Sequence, residues 1–308
     1  MTKLQKFQDL LDNDLGDTSK YDNYYISGLI GGNKPSTYSK SPAMWNSLFR
    51  QIGVKAVYFA FDYPPDGDIE KLFETAVEHG KFVNFNVTDP FKESLYKVLK
   101  DGKYDAEFSF EADLLNAVNH VLFDKKGKIY ALNTDGAGLV RDINERAHGL
   151  AEKNVLLIGA GGAARSIAYA LAKSKAKLTI LNRTVEKAHK LAKLINEKEG
   201  TKIHSGGLDE IEEYALNSDI IIQAITKGEP IDKKLADKIN NSTMFVDVRY
   251  GDKAGFKKLG EETNHPAIDG SGMVFWQFVI AAEKLGEINP EFLAKKEYFD
   301  KIGEEVFK

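Results

Sequence analysis

The chain has 308 residues, 43% of them hydrophobic, and a formal net charge of -4. This length suits two domains of roughly 100–200 residues each, the near-balanced charge gives no general nucleic-acid footprint, and the absence of cysteine excludes disulfides, thiolate metal sites and a cysteine nucleophile. No window of about 18 uninterrupted apolar residues predicts a membrane span, and the acid-containing N-terminus "MTKLQKFQDLLDNDLGD" is not a secretory signal, so a cytoplasmic protein is expected. Within the first 20 or so residues, Leu4, Phe7, Leu10 and Leu11 fall at helical spacing and predict a short amphipathic helix.

"YYISGLI" follows as a strand, then a Gly/Pro/Ser loop, "GGNKPSTYSKS", and a helix for which Pro42 suits the first turn. "AVYFAFD" and "KFVNFNV" read as strands, "IEKLFETAVEHG" and "FKESLYKVLK" as helices, and "NAVNHVLFD" and "GKIYALNTD" as two strands around the turn "DKKGK". This alternation favours a mainly parallel sheet. A long helix is predicted over "GAGLVRDINERAHG". Beyond it the pattern restarts as strand, glycine turn, helix, strand and helix, with "DIIIQAI" and "TMFVDV" as further buried strands. The C-terminal stretch from "GMVFWQFVIAAEKLGEINP" onward is helical, with a break near Asn289 and Pro290. The fold class is therefore α/β with two domains, the boundary falling near residue 136 and the C-terminal helices returning to the first domain.

In "VLLIGAGGAARS" the glycine turn lies between an apolar strand and an Ala-rich helix, matching G-x-G-x-x-A from Gly159 to Ala164 through Ala160, Gly161, Gly162 and Ala163. The first glycine allows the tight turn, the second lets the backbone approach a pyrophosphate, and the small last residue lets helix and strand pack closely. The free N–H groups and positive end of the helix dipole then face the phosphates. After the next strand an NAD site usually carries an acid for the ribose hydroxyls. This chain has "LNRT" there, so Arg183 can make a charge-assisted contact with a 2′-phosphate, Asn182 and Thr184 can add hydrogen bonds, and Lys187 follows one helical turn later. Glu186 lies nearby and weakens the case slightly, yet NADP is preferred over NAD.

"STYSKSP", "NVTDPFK" and "LNTDGAG" place polar groups at predicted strand ends, where ligand sites of open α/β sheets gather. With "AVN", "GAGGAARS", "NRT" and "DGSGMVFWQ", their order and spacing resemble the shikimate dehydrogenase family, which includes the quinate/shikimate dehydrogenases. The resemblance covers nearly all the chain from about Tyr25 and leaves the N-terminal 20 or so residues outside. It implies an N-terminal substrate-binding α/β domain, 1–135, completed by C-terminal helices at about 270–308, and a Rossmann-type NADP-binding domain, 136–269. Ser39 and Ser41 then match the serine pair that holds the substrate carboxylate, and two hydroxyls can donate to one anion. Asn86, Thr88, Asn119, Tyr250 and Gln277 match further substrate residues, and Gly270 joins the cofactor set. Lys92 matches the catalytic lysine and Asp135 its paired aspartate. Either can move the proton that accompanies hydride transfer as general acid or base, and a coupled pair is the description that leaves the carrier open.

What the resemblance implies is the NADP-dependent reversible reduction of 3-dehydroshikimate to shikimate, by a monomer or homodimer with a cyclic hydroxy acid as substrate and no metal, nucleic-acid or membrane partner. Quinate/shikimate dehydrogenation with NAD or NADP is the nearest alternative, and a non-catalytic ligand sensor is a third. Several positions depart from the family pattern: Tyr38 and Trp45 where histidines are usual, Asp89 where an apolar residue is typical, His120 in place of threonine, and "AITKGEP" for the usual small-residue segment. They place changes at the rims of both pockets, and Asp89 either retunes the lysine or caps the following helix.

Overall fold

The computed structural model describes residues 3–147 and 149–307. It divides into two compact units, the first built from the chain up to Thr134 and again from Phe278 onward, the second running Asp135–Gln277.

The first unit opens with α1 (Lys3–Gln8), whose Leu4 and Phe7 are buried. Strands β1 (Tyr25–Gly31), β2 (Ala56–Asp62) and β3 (Phe82–Val87) are joined through α2 (Ser41–Ile52) and α3 (Ile69–His79). Pro42 sits in the first turn of α2. The Asp68 carboxylate accepts from the Glu70 and Lys71 amides to start α3, and Gly80 closes it in the left-handed conformation, the N-cap and C-cap chemistry such residues favour. Then follow α4 (Lys92–Lys100), β4 (Ala106–Phe108), α5 (Phe110–Leu115), β5 (His120–Phe123) and β6 (Ile129–Leu132). Sequence periodicity misses β4 and α5, which are too short to show a period. The strand order is β2-β1-β3-β5-β6-β4, and β5 runs antiparallel to both its neighbours while the other pairs are parallel.

Strand alternation gives this sheet two different faces. Ile26, Ile30, Val57, Phe61, Phe85, Val87 and Val121 point into the main core, which Phe7, Leu72, Phe73 and Leu95 complete. The opposite face carries a buried polar row: Tyr58 pairs with Ser27, Ser27 with Asn84, and Asn86 with His120.

The second unit starts with α6 (Asp135–Ala147) and continues β7 (Asn154–Ile158), α7 (Gly162–Lys173), β8 (Lys177–Leu181), α8 (Val185–Glu199) and β9 (His204–Gly206). Next come α9 (Ile211–Leu216), β10 (Ile220–Gln223), α10 (Lys233–Ala236), β11 (Met244–Asp247), α11 (Gly255–Glu262) and β12 (Ala267–Ile268). The order β9-β8-β7-β10-β11-β12, parallel throughout, is the doubly wound dinucleotide-binding arrangement, with its switch point between β7 and β10. Here β9, β12 and α9–α11 are the short elements that the sequence pattern leaves unassigned. Two glycines of "NTDGAG" serve helix packing: a Cβ at Gly136 would lie 2.1 Å from the Ser166 carbonyl oxygen on α7, and one at Gly138 would lie 2.8 Å from the Met273 carbonyl oxygen. The chain closes with α12 (Ser271–Ile288) and α13 (Lys296–Phe307), separated by the break at Asn289 and Pro290.

Candidate active site

In the first unit the candidate residues gather at one end of the sheet. The serine loop leaves the carboxyl end of β1, Asn86 and Thr88 stand at the carboxyl end of β3, and Asn119 precedes antiparallel β5. The serine loop is anchored from below: the Asp62 carboxylate accepts from the Ser36 amide (2.9 Å) and hydroxyl (2.5 Å). Ser39 Oγ accepts from the Ser41 amide at 3.2 Å, which fixes the two serines relative to each other. Lys40 between them donates to the Val306 carbonyl on α13.

Lys92 is half-buried at the first position of α4. Its carbonyl accepts from the Val118 amide at 3.0 Å. Asn119, one residue further, is buried; its Oδ1 accepts from the Thr134 amide (2.9 Å), and its Nδ2 lies 3.1 Å from Thr134 Oγ1. Asp135, covalently next, is buried and opens α6 in the second unit. Asp89 is exposed, and the N-cap of α4 is Phe91 with no side-chain capping bond, so Asp89 does not serve as that helix's cap.

The polar row adds Tyr58 and Asn84, which motif reading did not single out, to Asn86 and His120. Tyr58 Oη donates to Asn86 Oδ1 (3.0 Å), as does Asn84 Nδ2 (3.1 Å), and Asn86 Nδ2 lies 2.9 and 2.8 Å from the two ring nitrogens of His120. Burial pushes the Tyr58 hydroxyl well above the usual phenol range, with the Ser41 hydroxyl pulling it partly back, so it is a proton donor at neutral pH. The period-2 spacing of the two asparagines in "FVNFNV" was the available signal for this row. Trp45, read from sequence as a pocket-rim change, is instead an interior residue: it is 1% exposed, stacked on Tyr58 and edge-on to Phe278.

In the second unit the glycine turn follows β7. Gly159 has φ +127°, and a Cβ there would lie 2.5 Å from the Ala224 carbonyl oxygen, so the turn requires glycine. A Cβ on Gly161 or Gly162 would meet nothing within 4 Å, which leaves the N-terminus of α7 open to a ligand. Ala163 follows on the first turn of α7, and Ala164 is fully buried against the sheet. A cavity of about 400 Å³ adjoins the turn, lined by Ala160, Gly161, Asn182, Arg183, Thr184 and Lys187 together with Thr226 and Lys227. Three cations and no carboxylate occur among the described residues of its wall. Asn182 Nδ2 donates to the Thr184 carbonyl (2.9 Å), which tightens the turn presenting Arg183.

Lys227 belongs to the divergent segment "AITKGEP". Its loop is held by Glu229, which accepts from Gln223 Nε2 (2.8 Å) and Arg249 Nη2 (2.8 Å). Arg249 also forks onto the buried Asp247. These hydrogen bonds, Asp247 first, hold the guanidinium far above its ordinary pKa. Tyr250, beside them, is half-buried, and burial raises its phenol pKa. Gly270 donates its amide to the Arg249 carbonyl (2.9 Å). Gln277 lies on α12 against Gly138 of α6.

Comparison with known proteins agrees with this geometry. The family model described as shikimate / quinate 5-dehydrogenase matches residues 142–250, and that of the shikimate dehydrogenase substrate binding domain matches residues 30–121. Shikimate dehydrogenase (NADP(+)) of Methanopyrus kandleri is 36% identical over 270 residues, covering 84% of this chain and 89% of the relative. The crystal structure of shikimate dehydrogenase from Aquifex aeolicus superposes with a TM-score of 0.76 at 29% identity, covering 91% of this chain and 97% of its own. A shikimate dehydrogenase solved in complex with NADP+ gives a TM-score of 0.76 at 31% identity, over 96% of this chain and all of its own.

Proposed function

The chain belongs to the shikimate dehydrogenase family, and from that premise we propose that it catalyses the NADP-dependent, reversible reduction of 3-dehydroshikimate to shikimate. The observation that carries the cofactor half is the cavity beside the glycine turn, with Arg183 and Lys187 in its wall and no carboxylate among the described residues lining it. These residues fit a 2′-phosphorylated dinucleotide: Gly159–Ala163 and the open end of α7 would hold the pyrophosphate, and Asn182, Arg183, Thr184 and Lys187 the 2′-phosphate. When bound, the nicotinamide supplies or accepts the hydride.

The protein's own residues hold the acid and manage the proton. Ser39 and Ser41 donate to the substrate carboxylate. Asn86, Thr88, Asn119, Tyr250 and Gln277 meet the ring hydroxyls and fix which carbon is presented, so that the reacting atoms are held in line rather than searching. Lys92 and Asp135 act as a coupled pair, one giving the proton to the forming alkoxide during reduction and the pair recovering it during oxidation.

A kinetic panel tests this reading. Shikimate and quinate are each offered with NADP and with NAD, and shikimate with NADP is expected to give the highest kcat/KM. Equal or greater turnover of quinate would move the assignment to a quinate/shikimate dehydrogenase. Failure of both acids to support cofactor reduction at millimolar concentration would remove the catalytic assignment.

A further inference from the structure

We propose that Lys227 is a further cofactor-binding residue, whose ammonium group pairs with the pyrophosphate of the dinucleotide and not with its 2′-phosphate. The inference rests on the assignment of a dinucleotide to the cavity beside the glycine turn made above. It adds a residue that lies outside both the glycine fingerprint and "LNRT", in the segment "AITKGEP" that departs from the family pattern.

Charge and place point the same way. Arg183, Lys187 and Lys227 are the cations in the described wall of the cavity. Arg183 and Lys187 suit the 2′-phosphate, which leaves the charged pyrophosphate with only the neutral N–H groups of the glycine turn. The loop after β10, which carries Lys227, starts against that turn. The Ala224 amide donates to the Ile158 carbonyl at 2.8 Å, and a Cβ on Gly159 would lie 2.5 Å from the Ala224 carbonyl oxygen. The loop that carries Arg183 instead follows β8, on the other side of β7. Neighbouring strands lie about 4.8 Å apart, so the starts of the two loops are separated by about two such spacings. The pyrophosphate position, at the turn after β7, falls between them.

The lysine is also available. Glu229 is the nearest acid in the chain, two residues from Lys227, and the natural partner for its charge. It is engaged elsewhere: it accepts from Gln223 Nε2 and from Arg249 Nη2 at 2.8 Å each, and Arg249 is anchored in turn on the buried Asp247. Lys227 itself takes part in no ion pair with a described residue. The Arg249 network thus fixes the loop, neutralises the acid that would repel a phosphate, and leaves the ammonium group to an anion in the cavity.

Calorimetric titration tests this with NADP, NAD and adenosine 2′-monophosphate, which carries the 2′-phosphate and no pyrophosphate. Lys227→Met is expected to weaken NADP and NAD by the same factor, about three- to tenfold, the contribution of one charge-assisted hydrogen bond from a solvent-exposed lysine. The affinity for adenosine 2′-monophosphate should stay unchanged. Lys227→Arg, which returns the charge, should recover most of the loss. The thermal midpoint of both variants should match wild type, because the side chain is exposed. A loss confined to NADP and adenosine 2′-monophosphate would place Lys227 at the 2′-phosphate and overturn the proposal. Unchanged affinity for both dinucleotides would make it a solvated loop lysine, and a loss that Lys227→Arg does not recover would mark a disturbed loop; either overturns the proposal while the cofactor assignment stands. If wild-type protein binds neither dinucleotide, the cofactor assignment itself falls and this inference with it.

Discussion

A lysine at the first position of a helix is ordinarily a solvated group, and Lys92 stands out only through what surrounds it. It follows the strand end that carries Asn86 and Thr88, and its carbonyl is tied to Val118, next to Asn119. Lys92→Ala is expected to retain shikimate binding while turnover falls by about 100- to 10,000-fold, the usual contribution of a positioned general acid–base group. Isothermal titration against steady-state kinetics separates the two, and unchanged kcat would end the catalytic role. Arg183 makes a different kind of prediction. A hydrogen bond to a charged group contributes about 1.5–3 kcal/mol, so Arg183→Ala should raise the KM for NADP roughly 10- to 100-fold while the KM for NAD moves little; equal effects on both cofactors would place the arginine away from the 2′-phosphate. The sequence offers both residues as candidates because each sits in a motif with fixed spacing. Tyr58 does not stand out, because its place in the polar row depends on which strands lie side by side, His120 stands out only as a departure from the family pattern, and Trp45 was misplaced because a departure at one position does not say whether the side chain faces a pocket or the interior.

At the scale of elements, strand and helix periodicity located the long pieces and the glycine turn located the cofactor half. What periodicity could not show is how α1 works. Its Phe7 packs edge-on against Phe61 and its Lys3 Nζ donates to the Glu78 carbonyl (3.1 Å) at the end of α3. After α1, the Asn13 side-chain amide donates to the Ala60 carbonyl (3.0 Å) and accepts from the Asp62 amide (2.8 Å), covering part of the edge of β2 as sheet edges require. This N-terminal segment lies outside the family motifs but is part of the core. It also sets up a pH dependence. His79 ends α3, where the helix dipole would favour a cation, yet burial first, and then Lys3 and Lys81, lower its pKa from 6.5 to about 4. The unfolded chain therefore binds the proton from about pH 6.5 downward while the folded one does not until about pH 4. The stability associated with neutral His79 is complete above that window and declines as pH falls through it. The loss should be about 1–2 kcal/mol, reduced from the full linkage value because the ring is partly solvated. Urea unfolding of wild type and His79→Gln between pH 7 and pH 4, the limits set by these pKa values, measures it. The variant should show a shallower fall, and parallel curves would rule His79 out as the source.

Over the whole molecule, the consequence of the chain's path is that the first unit cannot be completed until its last residues are made. The polar face of its sheet and helix α2 are covered by segments beyond Gln277: Phe278 meets Trp45, Phe292 meets Phe49 and Tyr25, and Asn289 donates to the Phe123 carbonyl at 2.8 Å. Phe278, Val279, Leu285, Phe292, Phe299 and Ile302 are all buried. At about 1.5–3 kcal/mol for each large apolar side chain, their burial is worth on the order of 10 kcal/mol, comparable with the entire stability of a domain, about 5–15 kcal/mol. The second unit owes them much less, since β7, β8, β10 and β11 form their own core around Leu156, Ile158, Leu181, Ile221 and Phe245. A chain ending at Gln277 should therefore lose slow hydrogen exchange throughout β1, β2 and β3 while β7, β8 and β10 stay protected. It should bind NADP with little change in affinity and bind shikimate not at all. Protection retained in β1–β3 would mean that the N-terminal segment and α3 suffice to hold that sheet, and the returning helices would then be an outer layer of the first unit, not part of its core.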